Sequence, residues 1–144
     1  VAPDATFTLR LAFGIVRGYQ LDDKEIPFQT TYKSLFERHS LMQGKVPFDL
    51  PEQWLQNKDK LKLSTPLNFA STADTIGGNS GSPVLNREGE LIGVNFDRNR
   101  HGLVRNFVYT DVQARHIAVH TQGILESLRT IYQAEDLIKE MAGQ

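Results

Sequence analysis

The first part of the chain alternates regularly between apolar and polar residues. Between residues 7 and 15 every second residue is apolar, and the residues between them are polar or small. A period of two is typical of a strand with one buried face. We therefore predict a strand over residues 7–15, after a turn at Pro3–Asp4. Residues 16–19 are predicted to continue it past two weak points, Gly14 and Gly18.

The period then changes to that of a helix in two places. Residues 31–39 place three apolar side chains at helical spacing, with Thr30 or Thr31 suited to cap the first turn. Residues 51–58 predict a second short helix, because a proline such as Pro51 is favourable in a first helical turn. A polar loop separates the two predicted helices.

The strand pattern returns in the second half of the chain. The segments predicted as strands are 63–69, 84–85, 91–96, 107–109 and 117–119. Turn residues at 86–89 lie between two apolar runs, which predicts a β-hairpin over residues 84–96. The tail has a helical apolar face and predicts a C-terminal helix over about residues 121–142, with a break at 133–135. The predicted fold is mainly antiparallel β with a closing helix, as in a small barrel.

Composition excludes several classes of function. The 144 residues are 40% hydrophobic and 23% charged, which suits one folded domain. A net charge of −1 without a long basic run argues against nucleic acid as a partner. No apolar stretch approaches the roughly 20 residues that span a membrane. The chain has no cysteine, hence no disulfide or thiolate chemistry, and we predict no cofactor. It begins at Val1 without a signal-like segment, so we expect a mature or excised piece of a longer polypeptide, and the absence of an assignable triad His and Asp favours an excised one.

A glycine-rich loop before the hairpin carries the strongest chemical signal. Residues 77–83 read Gly-Gly-Asn-Ser-Gly-Ser-Pro. Glycines let a substrate carbonyl come close to the main chain. In such a loop the backbone N–H groups of Gly78 and Ser80 can form an oxyanion hole, and Ser80 Oγ can act as the nucleophile. The alternative is a Gly/Ser-rich turn without chemistry, but the full string followed by an apolar hairpin strand favours a nucleophile.

The rest of a serine-peptidase triad is missing from the chain. A serine nucleophile needs a histidine base and an aspartate that orients it. The histidines are His39, His101, His116 and His120. Only His39 precedes Ser80, and it is predicted to be a surface residue at a helix end, where the helix dipole favours it. We assign no base and no orienting Asp, and we expect the isolated chain to be inactive because an unassisted serine hydroxyl is a poor nucleophile.

A metal site is the alternative use of His116 and His120, which are four residues apart. A zinc-peptidase helix would need Glu after the first histidine, but Ile117 stands there. The residues between the two histidines favour a strand, so we predict no metal site.

The serine motif resembles that of the chymotrypsin-fold peptidases, with Asn79 in place of the usual Asp. Other segments resemble the bacterial dipeptidyl-peptidase 7 and dipeptidyl-peptidase 11 family, closest to the acidic-specific dipeptidyl-peptidase 11 type. These segments are 3–11, 14–19, 47–51, 66–69, 89–97 and 138–141.

The resemblance implies a trypsin-like antiparallel β-barrel. Family members have two barrels and a large helical insertion. Residues 1–144 would be the C-terminal barrel half, and the first barrel and the insertion would lie outside this chain. The resemblance also implies peptide substrates with a free N-terminus, location in the Gram-negative periplasm, a possible homodimer, and the rest of the same polypeptide as partner.

Specificity residues are likewise implied by the resemblance. Asp97 matches the acid that binds the substrate's α-amino group, next to Phe96 as a further substrate-binding residue. Arg98 matches the position at which Arg goes with Asp or Glu before the scissile bond. A guanidinium can offer a carboxylate two parallel hydrogen bonds. After Asn99 the chain departs from the family pattern, and the additional Arg100 and Arg105 are expected to make the surroundings of the pocket more positive.

Two other functions remain open from the sequence. A glutamyl endopeptidase of related fold would explain the serine motif, and possession of only half a triad would suit a non-catalytic peptide-binding fragment. If the protein is an endopeptidase, we expect Arg98→Ala to change the preference for acidic residues little. If it is a dipeptidyl-peptidase, we expect the same substitution to remove that preference.

Overall fold

The computed structural model describes residues 9–143. The strands are β1 (Tyr19–Leu21), β2 (Lys24–Ile26), β3 (Gln29–Thr31), β4 (Pro66–Ser71), β5 (Pro83–Leu85), β6 (Leu91–Arg98) and β7 (His116–His120). The α-helices are α1 (Tyr32–Leu41), α2 (Glu52–Gln56), α3 (Thr121–Thr130) and α4 (Glu135–Met141). Short 3₁₀ helices span Lys58–Lys60 and Arg100–Asn106.

Five strands form one antiparallel sheet in the order β3-β4-β7-β6-β5, and β1 and β2 form a separate hairpin. The predicted mainly antiparallel β fold with short helices is therefore confirmed. The described sheet is open and does not close into a barrel. The β5–β6 hairpin and strand β7 are confirmed where they were predicted.

The predicted strand over residues 7–15 is wrong for its described part, residues 9–15; residues 7 and 8 lie outside the described residues. Leu9 is 100% exposed and Phe13 is 84% exposed, so the apolar face is not buried. Pairing with the sheet begins only at Ile15 and Val16, the latter in an isolated bridge with Ser71. Strand β1 then starts at Tyr19. An alternating pattern yields a strand only where a neighbouring strand accepts its backbone hydrogen bonds, and residues 9–14 have none among the described residues.

The predicted helices are confirmed, with small shifts at their ends. Thr31 caps α1 in a reciprocal capping box with Ser34, whose hydroxyl accepts from the Thr31 backbone N–H at 2.9 Å. Pro51 precedes α2 as its N-cap residue. The tail is divided into α3 and α4, and Gln133 has a φ of +53° at the predicted break.

A compact apolar core joins these helices to the sheet. Its buried side chains are Tyr32, Phe36, Leu61 and Ile131. The Tyr32 hydroxyl donates to the Gly123 carbonyl at 2.6 Å, which ties α1 to α3. No helix among the described residues is long and apolar enough to cross a membrane.

The predicted strand at residues 107–109 is wrong. This segment follows the 3₁₀ helix as an irregular loop, and Phe107 is 91% exposed. The Arg105 guanidinium fixes the loop by donating to the carbonyls of Thr72, Ala73, Thr110 and Ala114. Because Arg105 is buried against these carbonyls, the loop curves over the end of β4 instead of extending beside a strand.

A buried histidine makes the stability of the fold depend on pH. His116 lies within the sheet, with its Nδ1 2.9 Å from Ser71 Oγ and its ring against Phe69. Burial and, secondarily, the charge of Arg105 lower the pKa of His116 from 6.5 to about 4. The folded chain therefore keeps a neutral imidazole at pH values where the unfolded chain has taken up a proton.

We expect stability to fall as the pH drops from 6.5 towards 4, since the unfolded state binds the additional proton in that window. The loss between pH 8 and pH 5 should be about 2 kcal/mol. Urea unfolding at several pH values, for the chain and for His116→Gln, measures it. His39→Gln is the control, because it removes a histidine at the end of α1, outside the sheet in which His116 is buried. An equal pH dependence in all three proteins would contradict the assignment.

Candidate active site

The glycine-rich loop between β4 and β5 is held by backbone hydrogen bonds to β6. Gly81 N–H donates to the Asn95 carbonyl at 2.7 Å, and Asn95 N–H donates to the Ser82 carbonyl at 2.9 Å. The Asn79 side-chain oxygen accepts from Ile76 N–H at 2.8 Å and closes the turn that precedes Ser80. The loop geometry thus comes from main-chain pairing with the strand that carries the predicted specificity residues.

The backbone around Ser80 contains the two N–H groups that are predicted to form an oxyanion hole, those of Gly78 and Ser80. Gly78 has a φ of +96° and Gly81 a φ of +88°, a region that favours glycine. Among the described residues, the N–H groups of Gly78 and Ser80 donate to no acceptor, while those of Asn79 and Gly81 are used within the fold. Two free N–H groups on either side of Asn79 can stabilise an oxyanion formed next to Ser80.

A shallow cavity of about 190 Å³ brings the predicted residues together. Its lining residues are Thr75, Ile76, Gly77, Ser80, Asn95, Phe96, Asp97 and Arg98. Ser80, Phe96, Asp97 and Arg98 therefore share one surface, although up to 18 positions separate them in the sequence. Gly78 lies outside this lining but follows Gly77 directly in the loop.

Ser80 has no base among the described residues. Its Oγ is exposed and donates to the Phe96 carbonyl at 3.3 Å. The four histidines have other partners. His39 contacts the Phe48 carbonyl, and His101 packs against the ring of Tyr19. His116 contacts Ser71, and His120 accepts from Gln122 N–H. A base for Ser80 would have to come from residues beyond those described.

His116 and His120 lie on strand β7. Four residues along a strand correspond to about 13 Å, which is too far apart for two ligands of one metal ion. Within residues 9–143 there is no group of three or more His, Cys, Asp or Glu residues that could hold a metal. Burial lowers the pKa of His120, whose Nδ1 accepts from Gln122 N–H at the start of α3.

Asp97 and Arg98 end strand β6, just past a bulge that lies between Asn95 and Asp97. Asp97 is exposed, and its Oδ1 accepts from the backbone N–H of Arg98 at 2.7 Å. The Arg98 guanidinium donates from Nη2 to Asn106 Oδ1 at 2.9 Å and from Nη1 to the Thr75 carbonyl at 3.4 Å. A carboxylate and a guanidinium thus stand in the same cavity as Ser80 without forming an ion pair with each other.

The additional cations that were expected to surround the pocket do not line the cavity. Arg100 is exposed at the start of the 3₁₀ helix, and Arg105 is buried with its guanidinium on backbone carbonyls. Four carbonyl partners and the ring of Tyr109, 4.8 Å away, hold Arg105 in a structural position. The positive charge inside the cavity comes from Arg98.

Four residues of the site were not identified from the sequence: Thr75, Ile76, Asn95 and Asn106. Asn95 is buried on β6, lines the cavity, and its Oδ1 has no hydrogen-bond partner among the described residues. Thr75 binds Arg98 from the loop after β4, and Asn106 binds it from the end of the 3₁₀ helix. No sequence motif marks these positions, and they are recognised only because folding brings them next to the cavity or to Arg98.

The chain is similar to known proteins over nearly its whole length. A family model described as Peptidase S46 matches residues 1–143. The Asp/Glu-specific dipeptidyl-peptidases of Shewanella putrefaciens and Porphyromonas endodontalis are 31% and 35% identical, over 98% and 100% of this chain. The crystal structure of Porphyromonas endodontalis DPP11 in complex with dipeptide Arg-Glu has 30% identity and a TM-score of 0.83, and the match covers 99% of this chain and 21% of that one. The chain spans about a fifth of the length of these relatives, 23% and 21% of the two enzymes.

Proposed function

Because this chain belongs to the peptidase S46 family, we propose that it forms the nucleophile-bearing part of a serine dipeptidyl-peptidase. The enzyme releases dipeptides from free peptide N-termini and prefers Asp or Glu before the scissile bond. One observation carries the proposal: Ser80, Asp97 and Arg98 line a single cavity, and two N–H groups of the loop that carries Ser80 have no acceptor among the described residues.

The proposed reaction starts with attack of Ser80 Oγ on the carbonyl carbon of the second substrate residue. A histidine base from outside this chain takes the hydroxyl proton and later gives it to the leaving amine. The N–H groups of Gly78 and Ser80 stabilise the oxyanion of the tetrahedral intermediate. Water, activated by the same base, then hydrolyses the acyl-enzyme and frees the dipeptide and Ser80.

Asp97 is proposed to bind the substrate's free α-ammonium group. Its carboxylate is exposed in the cavity, and the second oxygen remains available beside the bond from Arg98 N–H. Because this carboxylate lies at a fixed distance from Ser80, binding of the α-ammonium group places the carbonyl of the second substrate residue next to the nucleophile. This contact excludes N-terminally blocked peptides, because a blocked amine carries no charge for Asp97 to bind.

Arg98 is proposed to bind the acidic side chain before the scissile bond, with Phe96 contacting the substrate beside it. The guanidinium has five N–H donors and uses two of them within the fold. The remaining donors suit a carboxylate, and the names of the relatives from Shewanella putrefaciens and Porphyromonas endodontalis point to the same preference.

The remaining parts of the enzyme are proposals of the same kind. The described five-stranded sheet would form one wall of a trypsin-like barrel, and a first barrel with the triad His and Asp and a helical insertion would lie outside this chain. The difference in length from the relatives supports this division. A homodimer and a periplasmic location in a Gram-negative bacterium complete the proposal.

An unmodified peptide with Glu at position two tests the activity in the full-length protein. Mass spectrometry of the products is expected to find the N-terminal dipeptide, and the same peptide with an acetylated N-terminus should remain intact. Internal cleavage after Glu in the acetylated peptide would indicate a glutamyl endopeptidase. An intact free-amine peptide would indicate a non-catalytic peptide-binding protein.

Asp97→Asn is expected to weaken the recognition of the free amine. The amide keeps the shape but loses the charge, so kcat/KM on free-amine dipeptide substrates should fall about 10-fold or more, chiefly through KM. Steady-state kinetics measures the change, with Asp74→Asn as control because Asp74 is exposed and outside the cavity lining. Unchanged KM in Asp97→Asn would remove Asp97 from the proposed amine site.

A further inference from the structure

Two sets of contacts hold Arg98 at the cavity, one to its aliphatic stem and one to its guanidinium head. It is the last residue of β6 and pairs in register with His116 of β7. Its stem lies against the buried Gly102, where an added Cβ would stand 3.2 Å from the Arg98 Cδ. A side chain at residue 102 would therefore press against the arginine stem.

The groups that hold the guanidinium head are neutral. Nη2 donates to the amide oxygen of Asn106 at 2.9 Å, and Nη1 donates to the carbonyl of Thr75 at 3.4 Å. Arg98 takes part in none of the ion pairs among the described residues. The neighbouring carboxylate of Asp97 is bound to a backbone N–H instead.

Arg17 shows the contrasting arrangement in the same chain. Its Nη2 lies 2.7 Å from a carboxylate oxygen of Asp111, which satisfies the guanidinium with an opposite charge. An arginine in that state has little left to offer a substrate carboxylate. Arg98, bound to an amide and a carbonyl, is oriented but keeps its full positive charge.

We propose that Asn106 is a specificity-determining positioning residue, whose amide aims Arg98 at the acidic side chain of the substrate without neutralising it. This inference rests on the proposed function. The group that Arg98 receives is a carboxylate, and the amide of Asn106 acts only through Arg98. A carboxylate at residue 106 would compete with the substrate for the same guanidinium and would repel the substrate's own carboxylate.

Asn106→Asp tests the inference because it replaces the neutral amide by a negatively charged carboxylate of the same shape. In the full-length protein, the ratio of kcat/KM for a Glu-containing reporter to that for a Leu-containing one is expected to fall about 10-fold. The value for the Leu reporter should change less than about 3-fold, because Arg98 does not contact an apolar side chain. Asn106→Ala, which loses the orienting bond but adds no charge, should lower the ratio by a smaller factor of about 3.

Gln133→Glu is the matched control, since it adds one negative charge at the exposed turn between α3 and α4. It should leave the ratio unchanged. Equal losses for both reporters in Asn106→Asp, or an unchanged ratio in a folded variant, would overturn the role of Asn106. If Asn106→Asp does not fold, an unchanged ratio in Asn106→Ala overturns it. A wild-type protein that releases no dipeptide overturns the proposed function itself, and the inference with it.

Discussion

Ser80→Ala is expected to reduce kcat for dipeptide release by about 10⁶-fold in the full-length enzyme. Alanine removes the attacking oxygen, so no acyl-enzyme can form and the base has no hydroxyl proton to accept. The proposed oxyanion donors and the proposed substrate contacts of Asp97 and Arg98 remain, and they should sustain only a residual rate above that in water. Single-turnover measurements with a fluorogenic dipeptide quantify the loss.

Ser82→Ala is the matched control for this variant. Ser82 lies two residues away in the same loop, and its backbone rather than its hydroxyl pairs with Asn95. We expect wild-type activity within about 3-fold, because the backbone bonds are unaffected. If Ser80→Ala retains more than about one hundredth of wild-type activity, a different nucleophile must act.

Arg98→Ala is expected to lower the preference for acidic over apolar substrates by about 100-fold or more. The change leaves a substrate carboxylate in the cavity with no opposite charge, whereas an apolar side chain loses nothing that depended on Arg98. The ratio of kcat/KM for Glu and Leu reporters measures the preference. The fall in this ratio must come mainly from a lower kcat/KM for the Glu reporter.

Arg100→Ala provides the comparison at nearly the same place in the sequence. Arg100 carries the same charge two residues later, but it is exposed and outside the cavity lining. Its substitution should change the acidic preference less than about 3-fold, as expected for a screened surface charge. Equal losses from Arg98→Ala and Arg100→Ala would mean that general positive charge, and not a pocket, sets the preference.

Those parts of the site that local spacing encodes were predictable from the sequence. The glycines around Ser80 predict the loop, and the apolar runs on both sides of residues 86–89 predict a hairpin over residues 84–96. In the structure the second strand of this hairpin extends two residues further, to Asp97 and Arg98. The positive φ values at Gly78 and Gly81 agree with the conformational freedom that the motif requires. Capping by Thr31 was also predictable, because the interacting hydroxyl lies only three residues away.

Features that depend on distant partners were not predictable in this way. The alternating pattern in residues 9–15 has no partner strand to complete it, and its apolar side chains stay exposed. Residues 107–109 have strand-forming side chains, but the carbonyl bonds of Arg105 impose a loop. The bond from Arg98 to Asn106 links the end of a strand to the end of a 3₁₀ helix, and no single periodicity relates the two positions.

A four-substrate comparison tests the central claim most directly. The full-length protein is assayed with fluorogenic dipeptides that carry Glu or Leu before the scissile bond, each with a free or a blocked N-terminus. We predict fast cleavage of the free-amine Glu substrate, slower cleavage of the free-amine Leu substrate, and no measurable cleavage of either blocked form. Equal or faster cleavage of the blocked Glu substrate would contradict the account, because a dipeptidyl-peptidase that requires a free α-amino group cannot cleave a blocked substrate.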